Sequence, residues 1–178
     1  MYYLILGVFG IMEIGISLGS NKGNRVEFLQ AARKMICKKF KAILISQSAI
    51  YETSPVDVKD KFLNKYYLNS FIIINTDVCV KNIWNYVNEI EQKLGRNRTN
   101  EINIPRNIDI DIIYVDKTTI NTSTLTVPHP RWFKRMFVLK PLAELNPTLI
   151  LPHQNQSVKK LYLNLKSNEE VKLYQARW

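Results

Sequence analysis

The chain has 178 residues, 25 of them Lys or Arg and 15 Asp or Glu, for a net charge of +10 at neutral pH. That length fits one domain, and 46% apolar residues supply a core that needs neither disulfide staples nor a structural metal. With only 6 Gly and 7 Pro the composition excludes disordered, collagen-like and low-complexity architectures; the basic excess fits a nucleic acid, a membrane surface or a phosphorylated small molecule.

Met1–Ile11 is apolar and uncharged, lacks a basic leader, and meets Glu13 too soon to span a bilayer. It is expected to lie upstream of the natural start or to form a loose extension, leaving residues 12–178 as a single domain. Met12–Leu18 alternates Ile14, Ile16 and Leu18 with smaller or polar residues and predicts a strand. Gly19-Ser20-Asn21 turns the chain. Val26, Leu29, Ala32, Ile36 and Phe40 then recur at helical spacing, predicting a helix over about 24–39. Ala42–Glu52 reads as a second strand, and a polar loop from Thr53 to Lys65 follows. Tyr67–Asn75, rich in β-branched residues, is a third strand. Val80, Ile83, Trp84, Val87, Ile90 and Leu94 mark a second amphipathic helix, stopped by Gly95. A basic loop, Arg96–Asn107, leads into a fourth strand, Ile108–Val115. The order strand, helix, strand, strand, helix, strand predicts an α+β, ferredoxin-like fold: an antiparallel sheet with both helices on one face. Beyond it come a hairpin-like stretch (Thr118–Thr126), the loop Pro128-His129-Pro130, and short helices near Phe137–Leu145 and Val158–Leu165. Cys37 and Cys79 are isolated, without metal-site or redox spacing, and read as reduced thiols of a cytoplasmic protein.

Three features carry chemistry. Asp109 and Asp111 stand at i and i+2 on a strand, so their carboxylates share a face roughly 6–7 Å apart. Their repulsion, ~2–3 kcal/mol at an effective dielectric near 20, calls for a cation. A divalent metal such as Mg²⁺, which takes one or two carboxylates plus phosphate oxygens, is one candidate, and nearby Arg or Lys is the other. The bland reading is a solvated sheet face. Arg96, Arg98 and Arg106 lie in the loop entering that strand, and guanidinium groups are the preferred planar partners of phosphate. Surface pairing with Glu91 and Glu101 is the alternative. Pro128-His129-Pro130 stiffens the backbone around an imidazole, with Arg131, Lys134 and Arg135 following. No Walker or kinase-type glycine loop occurs, so phosphates would be held by side chains and metal.

Taken together, ISLGSN (16–21), YETSP (51–55), YLN (67–69), Glu91 with GRNR (95–98), PRNIDIDI (105–112), LTVPHP (125–130) and RMFVLKPLAE (135–144) resemble, in order and over Met12–Pro147, the 6-hydroxymethyl-7,8-dihydropterin pyrophosphokinase family of folate biosynthesis. The resemblance implies transfer of pyrophosphate from ATP to the hydroxymethyl group of a dihydropterin, with release of AMP. It implies two Mg²⁺ ions on Asp109 and Asp111, and Arg96 and Arg106 as catalytic arginines. It places Asn88, Glu91, Arg98, Arg106, Ile112, Thr126, His129 and Arg135 on ATP, and Thr53, Ser54, Val56, Tyr67, Asn69 and Phe137 on the pterin. Asn88 replaces a usual Gln, Asn103 stands where a Trp is common, and Thr124 and Pro130 replace Arg and Tyr seen in relatives. These departures bear on affinity more than on chemistry, although they keep an inactive pterin-binding paralogue open. A basic RNA-binding module is the other alternative, opposed by the missing RNA-binding signature. The expected partners are ATP and the pterin, with no nucleic acid or membrane, and the expected unit is a monomer.

Overall fold

The computed structural model describes residues 10–56, 59–96 and 104–178. Strand β1 (Met12–Ser20) buries Ile14, Ile16 and Leu18 completely. Helix α1 (Arg25–Lys39) starts at Asn24, whose side chain accepts the Glu27 N–H, and turns Leu29, Ala32 and Ile36 inward. Strands β2 (Ile43–Gln47) and β3 (Ile50–Thr53) follow, then a 3₁₀ turn at Asp60–Phe62 and β4 (Tyr67–Thr76). Helix α2 (Val80–Lys93) ends at Gly95, whose φ of 83° is a left-handed conformation that favours glycine. Strand β5 (Asp109–Val115) completes the first unit.

Every pairing is antiparallel, and the sheet runs β5-β1-β4-β3, with β2 also on β4 beside β3. This is the ferredoxin-like order, and α1 and α2 cover one face as expected. Their Leu29, Ala32, Ile36, Ile83, Val87 and Ile90 pack on Ile14, Ile16, Leu18, Leu68, Ile72, Ile110 and Ile112.

The structure adds a second layer. After a small hairpin, β6 (Ile120–Asn121) with β7 (Thr126–Val127), come a 3₁₀ turn at Trp132–Lys134, α3 (Met136–Leu145), α4 (Val158–Asn164) and β8 (Val171–Gln175). Trp132, Val138, Leu139, Leu142, Leu151 and Val158 cover the opposite face through Phe71, Ile73, Ile113 and Tyr114. A register shift beside Gly15 lets Ile113 and Tyr114 both reach that face, while Ile112 and Val115 stay on the first. Gly15 makes room for this: a Cβ there would lie 2.0 Å from the Tyr114 ring.

Two expectations need correction. The single strand expected over 42–52 is two, parted at Ser48 and Ala49: the Ser48 N–H still donates to the Phe71 carbonyl at 2.9 Å, while the Glu144 carboxylate takes the Ala49 N–H at 3.1 Å and the Tyr51 hydroxyl at 2.8 Å. The sequence reading also lacked β8, which pairs with β3 through Tyr51↔Leu173, Glu52↔Lys172 and Thr53↔Val171. Among the described residues no helix is long and apolar enough to cross a membrane. The extension expected over Met1–Ile11 lies outside the described residues except for Gly10 and Ile11.

Candidate active site

The second sheet face is left open at the end nearest the start of β5. Register places Asp109 opposite Gly19 and Asp111 opposite Ser17, and β4 sets Asn69 on the other side of Gly19. A cavity of about 290 Å³ opens there. Gly19 keeps its floor low, since a Cβ would stand 2.9 Å from the Asn69 Oδ1.

Along one side run the ions. Arg96 and Arg106 donate to the same Asp109 oxygen at 2.7 and 3.2 Å, and Arg135 donates to Asp111 at 3.2 Å. Arg96 also pairs with Glu91, which is 2% exposed and accepts the Ile110 N–H at 2.9 Å. Glu91 thus fixes both the entry of β5 and the Arg96 guanidinium. Asn21 holds the Arg106 backbone: its side chain accepts the Arg106 N–H at 2.7 Å, and its own N–H donates to the Arg106 carbonyl at 3.2 Å.

Burial, and then the neighbouring Asp109, push the Asp111 carboxyl up to about 6 despite three nearby arginines. Burial likewise raises Glu91 to about 7. His129 goes the other way: burial, with Arg135 and Arg131 close, lowers it to about 4. Its backbone N–H donates to the Ile113 carbonyl at 2.9 Å, and its Nδ1 accepts the Arg131 N–H at 3.2 Å. The neutral ring therefore carries its proton on Nε2.

The other side is a partly apolar slot. Tyr67, Phe137 and Val56 line it with Thr53, Ser54 and Asn69, and the Asn69 amide donates to the Thr53 hydroxyl at 2.8 Å. The Arg135 guanidinium lies 5.3 Å from the Phe137 ring centre, joining the two sides. Such a lining suits an anion and a planar polar ring next to each other.

Among the described residues no group of three or more His, Cys, Asp or Glu side chains could hold a metal. The Asp109–Asp111 pair nevertheless suits Mg²⁺, which completes its shell with water and phosphate oxygens. Burial, and after it the neighbouring Asp109, lift Asp111, and a cation between the carboxylates would offset both.

Residues 15–147 match the model of the 7,8-dihydro-6-hydroxymethylpterin-pyrophosphokinase (HPPK) family. The chain belongs to this family. It is 37% identical over 130 residues to the 2-amino-4-hydroxy-6-hydroxymethyldihydropteridine pyrophosphokinase of Bacillus subtilis, covering 73% of this chain and 75% of that protein. It is 36% identical over 144 residues to the folic acid synthesis protein fol1 of Pneumocystis carinii, covering 80% of this chain but 19% of that one. It therefore spans about a fifth of the fol1 protein, and most of the Bacillus one. A crystal structure of Plasmodium falciparum HPPK-DHPS superposes with a TM-score of 0.72 at 17% identity, over 88% of this chain and 44% of that chain, and shares the fold.

Against the HPPK pattern, the cavity gathers Arg96, Arg106, Asp109, Asp111, His129 and Arg135 with all six residues expected at the pterin. Glu91 sits behind Arg96 and outside the lining. The Asn88 side chain turns back to the Trp84 carbonyl at 2.8 Å. The Ile112 side chain is buried in the helix-covered core, so any ligand contact falls to its backbone; like Ile110, it turns that backbone to the outer edge of β5. Thr126 is exposed on β7, away from the lining. Arg98 and Asn103 lie outside the described residues. Sequence reading left Ser17, Gly19 and Arg131 without roles, yet all three line the cavity. The alternation of β1 puts Ser17 and Gly19 on the aspartate face, a signal available once the strand order is known.

Proposed function

We propose that this protein transfers the β,γ-pyrophosphoryl group of ATP to the hydroxymethyl oxygen of 6-hydroxymethyl-7,8-dihydropterin, giving AMP and the pterin diphosphate, with residues 12–178 working as one domain. The carrying observation is the shared cavity: a carboxylate pair with arginines on one side and the Tyr67–Asn69–Phe137 slot on the other. The pterin oxygen bonds to the β-phosphorus as the bond to the α–β bridging oxygen breaks. AMP departs and the hydroxyl proton passes to water. Phosphoryl-type transfer asks little covalent help of a protein, and alignment and charge neutralisation supply most of the acceleration.

Two Mg²⁺ ions, held by Asp109 and Asp111, would neutralise the phosphates and orient the reacting ends. Arg96 and Arg106 move from Asp109 to the transferring group, and Arg135 moves from Asp111 to phosphate. His129 donates from Nε2 as a neutral group at pH 7. The Ile112 backbone on the outer edge of β5, Thr126, Asn88 and Arg98 contact the nucleotide further out. In the slot, the Asn69 amide and Thr53 and Ser54 read the polar edge of the pterin, while Tyr67, Val56 and Phe137 hold its faces.

The test is incubation of purified protein with ATP, Mg²⁺ and the hydroxymethyl dihydropterin. AMP should form in step with the pterin diphosphate. ADP as product, or ATP breakdown indifferent to pterin, overturns the reading.

A further inference from the structure

We propose that Glu169 is a positioning residue for the pterin slot, so that a segment beyond the family-matched residues sets how firmly the pterin is held; this rests on the pyrophosphokinase reading. Helix α3 begins at Met136 with no cap of its own, since Arg135 at that position makes no side-chain bond to it. The first N–H groups of a helix need acceptors. Glu169 supplies them from a distance: its two carboxylate oxygens accept the Met136 and Phe137 N–H groups, each at 3.3 Å. A negative group there also complements the helix dipole.

The carboxylate is itself held. The Ser167 hydroxyl donates to it at 3.2 Å and accepts the Glu169 N–H at 3.1 Å. The next residue closes a second clasp: the Ser54 N–H donates to the Glu170 carbonyl at 3.1 Å, and the Glu170 N–H donates to the Ser54 hydroxyl at 3.0 Å. Strand β8 continues from there along β3. Phe137 and Ser54 line the slot from different elements, and two adjacent residues outside the matched span of 15–147 tie both down. On the nucleotide side, Asp109, Asp111, Arg96 and Arg106 have no tie to Glu169, and Arg135, which directly precedes the capped Met136, has a hold of its own on Asp111 at 3.2 Å. Loosening the cap should therefore weigh on the pterin, whose Phe137 is capped directly, far more than on ATP, whose Arg135 keeps its Asp111 anchor.

Steady-state kinetics of Glu169→Ala, Glu169→Gln and Lys172→Ala, with ATP and pterin varied separately, test this. Losing the cap in Glu169→Ala should raise the pterin KM about tenfold, with the ATP KM and kcat within about twofold of wild type. Glu169→Gln keeps an acceptor oxygen and should fall between. Lys172→Ala, an exposed neighbour, should match wild type. A pterin KM in Glu169→Ala within about twofold of wild type, or joint losses in both KM values and kcat, overturns the proposal. If the alanine variant does not fold, an unchanged pterin KM in Glu169→Gln does so. Absence of AMP formation by wild type would instead defeat the parent reading. The cap is then read by amide hydrogen exchange, which should quicken at Met136 and Phe137 in either Glu169 variant, and unchanged exchange there refutes it.

Discussion

Replacing Asp111 by Asn should make the metal-free protein more stable while stopping its chemistry. In the fold the carboxyl titrates near 6, against an ordinary 3.8, because burial and Asp109 disfavour its charge. Fully expressed, that difference is about 3 kcal/mol of destabilisation once the group ionises. The side chain keeps 30% of its surface accessible and Arg135 lies at 3.2 Å, so water and that pair soften the cost to about 1–2 kcal/mol. Asparagine preserves the shape and an acceptor for Arg135. At pH 8 in a chelating buffer the variant should melt about 2–8 °C above wild type. The sign follows from the raised value. The wild-type cost is absent below about pH 4, where folded and unfolded carboxyls are both protonated, and complete above about 6, so the gain should vanish as pH falls through that window. Turnover should drop about 100-fold or more, since the charge is what the cation and triphosphate use. Thermal melts from pH 4 to 8, with and without Mg²⁺ and ATP, measure both halves. A variant less stable than wild type at pH 8 would refute the premise that the ligand-free site carries an uncompensated charge.

His129 gives the opposite pH signature. Its folded value near 4 lies below its ordinary 6.5, so the contribution of His129 to stability should rise between those pH values and be lost as pH falls through them, set against the Asp111 cost of the opposite sign. The span corresponds to about 1–3 kcal/mol, and His129→Asn should flatten it in urea titrations at pH 4 and 7; an unchanged slope would show the imidazole to be freely charged. Glu144→Ala should cost about 2–3 kcal/mol by urea denaturation, because the Ala49 N–H and the Tyr51 hydroxyl both lose their acceptor. A loss below about 0.5 kcal/mol would place the origin of the strand break elsewhere.

The parts of the fold that local pattern determines could be read directly. Ile14, Ile16 and Leu18 alternate because one face of β1 meets helices, and α1 and α2 show the matching helical spacing. The aspartate pair was legible for the same reason: a strand period of two leaves no other arrangement. What escaped depends on partners far along the chain. At the break between β2 and β3 the Ala49 N–H is taken by Glu144, 95 residues away. Strand β8 presents mostly exposed side chains and owes its conformation to the edge of β3, so its sequence carries no alternation to detect. The α3 cap lies 33 residues from Met136, where no local signature reaches it. Arg131 was visible as one basic residue among several, and only folding distinguishes it from Lys134 by placing it in the cavity.

The excess positive charge acquires a local meaning at this site. Four arginines and two aspartates line the cavity, so the lining is net positive and suits an anion. Three of those arginines rest on the aspartates in pairs that are 18–31% accessible. Pairs of that kind contribute about 0–1 kcal/mol each, so giving them up costs the fold little. What they supply is position: Arg96 and Arg106 converge on one oxygen of Asp109, braced by Glu91 and Asn21, before any phosphate arrives. A guanidinium held near its working place loses little freedom when it exchanges carboxylate for phosphate, and the stronger charge-assisted contact then acts on the reacting group. In the proposed reaction the aspartates thus act as placeholders for the anion, and the repulsion between them is the tension that a cation would relieve.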